Sequence, residues 1–201
     1  RPGLAAKQGP NRDRNRIATG TASRLKRNTM STNTLDRTER PSLDSSQYRK
    51  ALSCFGTGVT VVTARHDGLD WGMTCNSFSS VSLTPPLVLW SIRKEANSLP
   101  AFTRSSGFTV SVLAQSQADL AWQFATGTMP ERFAGVPVQR QASERLRLED
   151  SVAWFDCDLH QVIEAGDHML VLGVVRDFAC SYANSLAFYR SQLAQFQALP
   201  A

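Results

Sequence analysis

The chain has 201 residues, of which 42% are hydrophobic and 19% charged, a balance that suits one globular domain and excludes a disordered or fibrous chain. The formal charge of +5 is unevenly placed: residues 1–50 hold 12 Lys/Arg against 4 Asp/Glu, and the remainder holds 10 against 13, so the folded part is mildly acidic and has no footprint for a phosphate backbone. No run of about 18 or more apolar residues is present for a membrane-spanning helix, and no apolar stretch suits a secretion signal.

Residues 1–44, rich in Arg, Ser, Thr, Asn and Gly and lacking apolar periodicity, read as a disordered basic leader. Met30 reads as the natural start, with 1–29 an upstream extension, and 45–201 as the domain. Cys54, Cys75, Cys157 and Cys180 are far apart and show no metal-ligand spacing, which predicts no metal site and a reducing, cytoplasmic setting.

Ser45 or Ser46 is placed to cap a short helix carrying Tyr48, Leu52 and Phe55, broken at Gly56 and Gly58. The β-branched run 59–64 predicts a strand, turned at His66-Asp67-Gly68 into a second strand over 71–78. Strands follow at 87–92 and 108–113, with a short helix over 98–104 that turns Leu99 and Phe102 inward. A longer helix is predicted over 116–125 with Leu120, Trp122 and Phe124, stopped at Gly127, and then a polar excursion over 126–150. Strands return at 153–165 and 168–177 around the Gly166-Asp167 turn, and the tail 186–196 suits strand or helix.

Roughly seven short strands joined mostly by hairpins predict a mainly β fold, an antiparallel barrel with a few short helices. Gly56-Thr57-Gly58 precedes a strand and is not the phosphate turn of a doubly wound sheet. The chemistry concentrates in 72–88, which sets Thr74, Asn76 and four serines on a strand and its following loop and clamps them with Pro85-Pro86. Short hydroxyl and amide groups suit a polar, uncharged ligand such as a ribityl chain or a ring edge. They equally suit a strand and turn that satisfy their own backbone.

This stretch, with its lead-in over 55–63, resembles the signature of the flavin reductases of the FMN-binding split-barrel fold, the small reductase components of two-component monooxygenases. Ser111-Val112-Leu113, Arg132-Phe133-Ala134-Gly135, Gly166-Asp167-His168 and Leu186-Ala187-Phe188-Tyr189-Arg190 resemble later segments of that family in the same order, so the likeness covers about 48–189. It implies an NAD(P)H:flavin oxidoreductase that reduces FMN or FAD with NADH or NADPH. The reduced flavin would diffuse to a separate monooxygenase, and the enzyme would be a homodimer with its cleft at the subunit interface.

The resemblance further implies that Met73, Thr74, Cys75, Asn76 and Ser77 line the flavin, with Ser82 and Leu83 next, and that its phosphate lies near Ser91, Arg93 and Ser98. His168 would orient the nicotinamide, Arg132 a dinucleotide phosphate, and Phe133 and Tyr189 would cover a ring or pack ordinarily. Cys75 stands where many relatives have alanine. A pyridoxamine-phosphate-oxidase-like enzyme and a non-enzymatic flavin carrier on the same barrel are the alternatives.

Overall fold

Residues 43–197 and 199 are described by the computed structural model, and they hold strands β1 (Thr57–Gly58), β2 (Thr60–His66), β3 (Leu69–Cys75), β4 (Ser79–Leu83), β5 (Pro86–Arg93), β6 (Gly107–Val112), β7 (Val138–Arg140), β8 (Leu146–Leu148), β9 (Ala153–Ala165), β10 (His168–Cys180), β11 (Leu186–Tyr189) and β12 (Gln192–Gln195). Four helices lie among them: α1 (Ser45–Leu52), α2 (Leu99–Arg104), α3 (Ala118–Thr126) and α4 (Met129–Arg132). The basic leader expected over 1–44 falls outside the described residues except for its last two.

Seven strands form one antiparallel sheet in the order β3-β2-β6-β9-β10-β5-β4. Inward side chains follow the period of two that a pleated strand imposes: Val62 and Ala64 on β2, Met73 and Cys75 on β3, Val88, Trp90 and Ile92 on β5, Phe108 and Val110 on β6, Cys157 on β9 and Val171 on β10 all enter one cluster. Residues from β3, an edge strand, and from β5, at the far side, share that cluster, so the sheet curls around it. The two edge strands β3 and β4 are not paired with each other, which leaves the barrel split. Trp90 sits at its centre, edge-on to Phe102 at 5.0 Å and to Phe108 at 5.7 Å.

The register of β9 against β10 shifts between Leu172 and Gly173. A Cβ at Gly173 would stand 2.5 Å from Phe108 Cζ, so only glycine lets β10 pass over that ring at full core density.

β2 is buried along both faces. Val62 and Ala64 face the barrel, whereas Val61 joins Leu113, Ala121, Phe124, Val136, Leu148 and Leu186 in a second cluster outside it. That cluster is covered by α3, the β7–β8 hairpin and the β1-β11-β12 sheet. The hairpin is fastened by polar groups: Thr63 Oγ1 donates to the Leu146 carbonyl, Ser111 Oγ accepts the Leu148 N–H at 3.1 Å, and Arg145 grips Asp156 through two bonds of 2.7 and 3.0 Å.

Several elements differ from the sequence expectation. Asp44, not Ser45 or Ser46, caps α1 by accepting the Ser46 N–H at 2.8 Å, and α1 buries none of its residues. The strand expected over 71–78 is β3 and ends at Cys75, Asn76–Phe78 leave the ladder, and the segment read as the following loop holds a further strand, β4. The excursion over 126–150 contains α4, β7 and β8, and the tail is strand. Among the described residues no helix is long and apolar enough to cross a membrane.

Candidate functional site

β3 and the loop that follows it, Asn76–Phe78, are the spine of the site because three cavities are walled by them in turn. Thr74 Oγ1 donates to the Ala121 carbonyl at 2.6 Å and ties the strand to α3. Beyond it, Cys75 Sγ lies 3.1 Å from Ser77 Oγ, which accepts the Ser91 N–H at 2.9 Å and ties the loop to β5. Those bonds hold Thr74–Ser77 in one extended edge. At Gly72 a Cβ would meet Phe124 at 2.7 Å and Phe133 at 2.9 Å, so the absence of a side chain there lets α3 and α4 close on the strand.

The first cavity, about 230 Å³, is a mostly apolar slot between Thr74–Asn76 and the α3 residues Ala121, Trp122 and Ala125. The second, about 700 Å³, lies beyond Asn76 and is walled by Ser77, Ser79, Arg49, Gly56 and Phe188. The third, about 530 Å³, is walled by Met73 and Thr74 on one side and by Asn97, Ser98, Thr128 and Arg132 on the other. Thr74 is common to the first and third, and Asn76 and Phe188 to the first and second, so the three are neighbours along β3 and the loop after it.

Arg132 gives the third cavity its charge. Its Nη1 donates to the Gly72 carbonyl at 2.6 Å and its Nε to the Gly127 carbonyl at 2.8 Å. Partial burial pulls its pKa below the ordinary arginine value, and among the described residues no carboxylate pairs with it. A positioned guanidinium with no anionic partner is suited to phosphate. A flavin mononucleotide unit comprises a planar ring, a hydroxylated chain and a phosphate, and an apolar slot beside hydroxyls and an unpaired guanidinium supplies a complementary surface for each.

Met73, Thr74, Cys75, Asn76 and Ser77 all wall these cavities, and the fold brings Ser98 and Arg132 to them from the start of α2 and from α4. Ser98 is buried, with its hydroxyl 3.9 Å from Met73 Sδ. Ser91 flanks the site through its backbone bond to Ser77. Ser82 instead accepts the Thr84 N–H at 3.2 Å within a turn, and Leu83 stands 92% exposed on the edge strand. Phe133 lies edge-on to Phe124 at 5.1 Å, packed on the second cluster. Tyr189 is partly exposed under the Arg190 guanidinium, 5.3 Å away.

Arg93 and His168 are register partners at the end of β5 and the start of β10. His168 Nδ1 lies 2.8 Å from Asp167 Oδ1, and the imidazole holds the Asp167 carboxyl below its ordinary value. Neither Arg93 nor His168 walls the three cavities.

Sequence reasoning missed Arg49, Asn97, Trp122, Thr128 and Phe188 as wall residues. The signal for Trp122 lay in helical spacing: Trp122 and Ala125 lie beside Ala118 and Ala121 on α3, at the rim of the second cluster, whereas Phe124 is fully buried in it.

Residues 52–197 match the family model described as flavin reductase like domain. Over 148 residues the chain is 38% identical to the reductase subunit of stachydrine N-demethylase from Rhizobium meliloti, covering 73% of this chain and 64% of that one. It is also 38% identical over 162 residues to a flavin reductase of Pseudomonas putida, covering 80% of this chain and 95% of that one. Among solved structures, the NADH:FAD oxidoreductase of Streptomyces globisporus in complex with NAD and FAD fragments superposes with a TM-score of 0.73 at 35% identity, covering 77% of this chain and 93% of that one. The chain thus spans just under two-thirds of the rhizobial subunit and nearly all of the Pseudomonas reductase. With that match running through β3, α3 and α4, the chain belongs to the family of flavin reductase-like domains.

Proposed function

We propose that this chain is an NAD(P)H:flavin oxidoreductase that binds oxidised FMN or FAD, reduces it with NADH or NADPH, and releases it to a separate monooxygenase. The observation that carries this reading is the juxtaposition along β3 of an apolar slot and a cavity ending at the unpaired Arg132 guanidinium. The similarity to proteins named as reductase components and as an NADH:FAD oxidoreductase supports it.

When bound, flavin supplies a two-electron acceptor to which NAD(P)H gives a hydride. The chain's own work is binding and alignment, because hydride transfer depends on proximity and stacking more than on acid or base groups. In this reading the Thr74–Ser77 edge holds the ring and ribityl chain, and Arg132 with Ser98 holds the phosphate. His168, with its ring oriented by Asp167, positions the nicotinamide. Arg93, its register partner, offers a second cation at that end.

The chain is further read as a cytoplasmic homodimer. Val81, Leu83, Phe178 and Tyr182 are exposed apolar groups that a second copy would cover. Four cysteines without a disulfide suit a reducing compartment.

Anaerobic rapid mixing of the protein and FMN or FAD with NADH or NADPH tests the reading. Bleaching of the visible flavin band is expected with at least one pair, and that pair names both cofactors. Bound flavin that does not bleach with either nucleotide would overturn it.

A further inference from the structure

Trp122 is 54% exposed, although every other part of α3 around it is held fast. Phe124 is fully buried in the second cluster, the Ala121 carbonyl accepts the Thr74 hydroxyl, and Gln123 Nε2 donates to the Glu131, Arg132 and Ala134 carbonyls at 2.9, 3.1 and 3.0 Å. The backbone that carries the indole is thereby fixed. Among the described residues the indole enters no aromatic pair and carries no guanidinium. A large ring on an anchored helix, with none of its area spent on another ring, is preorganised to bind at little entropic cost.

The cavity that the indole borders fixes the chemistry of its occupant. Ala121 and Ala125 leave the slot open, and Thr74–Asn76 with Val59, Phe188 and Leu193 line the rest of it. A volume of about 230 Å³ is too small for a whole dinucleotide and suits part of a planar ring system. An apolar slot that holds an indole and small apolar side chains, with the Asn76 amide among its lining groups, recognises a flat heteroaromatic ring, through stacking on its face and a hydrogen bond at its edge.

We propose that Trp122 is a binding residue for the flavin ring, a stacking surface that sets flavin affinity independently of the nicotinamide. The assignment rests on the flavin reductase reading above. Trp122 is partly exposed and lies outside both clusters, so substitution leaves the fold intact.

Titration with FMN and with FAD tests it. Trp122→Ala should weaken binding of both about tenfold, the scale of removing an aromatic partner from a stacked base. Trp122→Phe keeps a ring and should lose about threefold or less. The KM for NADH should stay unchanged in both variants. Flavin bound to the wild-type protein should be strongly quenched by indole contact and should regain emission in both variants, since phenyl is the poorer electron donor.

An unchanged flavin Kd in Trp122→Ala overturns the proposal, as does persistent full quenching in Trp122→Phe. A raised KM for NADH with unchanged flavin affinity also overturns it and transfers the indole to the nicotinamide. A wild-type protein that neither binds flavin nor bleaches it overturns the reductase reading and this proposal together, whereas binding and bleaching that ignore position 122 overturn this proposal alone.

Discussion

Thr74 and Ala121, 47 residues apart, are joined by a hydrogen bond of 2.6 Å from the threonine hydroxyl to the alanine carbonyl. The bond fixes the width of the slot between β3 and α3, since both residues wall it. A helical carbonyl accepting from a neighbouring strand is a tertiary clamp, and its removal loosens the slot that both residues wall.

Thr74→Val should therefore cost about 1 kcal/mol of stability and weaken flavin binding by several fold, while Thr74→Ser keeps the hydroxyl and most of both. Thermal melts paired with FMN titration check this. A melt and titration of Thr74→Val that both match wild type would remove the clamp from the account.

Arg132→Gln should lower FMN affinity tenfold or more, the scale of losing a charge-assisted phosphate contact, and should leave riboflavin, which has no phosphate, nearly unaffected. Parallel titrations with the two flavins separate charge from support of the loop. Equal losses for both would assign Arg132 only to holding the Gly72 and Gly127 carbonyls.

His168→Ala is expected to raise the KM for NADH with little change in flavin affinity. Asp167→Asn should produce a smaller change of the same kind, because it releases the ring at Nδ1. The Asp167 carboxyl is held below its ordinary value by His168, so the pairing is present above the usual carboxylate range and disappears as pH falls through the lowered value. Steady-state KM measured down the acid side in wild type and Asp167→Asn should converge at low pH.

Arg145 and Asp156 are 4% and 5% exposed. Arg145→Met leaves Asp156 buried without its cation and should cost about 3–5 kcal/mol, read by urea unfolding at neutral pH. Burial pushes the Asp156 pKa up, but bonds from Arg145 outweigh that and hold it below 3.8. A depressed carboxylate stabilises above its unfolded pKa and ceases to do so as pH drops through its folded one. The gap between wild type and variant should accordingly shrink in acid.

β2 was legible from its β-branched run, β5 from the contiguous apolar residues 87–90, β6 from Phe108, Val110 and Val112 alternating with Thr109 and Ser111, and the β9–β10 hairpin because Gly166 supplies the positive φ that its turn requires. The β7–β8 hairpin was hidden for a physical reason. Its core residues Leu146 and Leu148 alternate with Arg145 and Arg147, and Arg145 reads as surface charge until Asp156, 11 residues on, is brought against it by the sheet. Of the residues that wall the cavities, Thr74, Asn76 and Ser77 were legible by composition and resemblance, and Met73, Cys75, Ser98 and Arg132 by resemblance alone. Trp122 was not, since an indole in an amphipathic helix looks like core until Phe124 is seen to hold that role.

Adjacent residues of β2 belong to different interiors: Val62 to the barrel and Val61 to the outer cluster. The strand is also laddered on both edges, to β3 and to β6. With both faces packed and both edges laddered, β2 should hold amides among the slowest to exchange, those directed to the edge strand β3 exchanging before those directed to β6. The wall that the two layers share is thus the strand that backs β3, so the candidate site leans on the most doubly anchored strand of the fold.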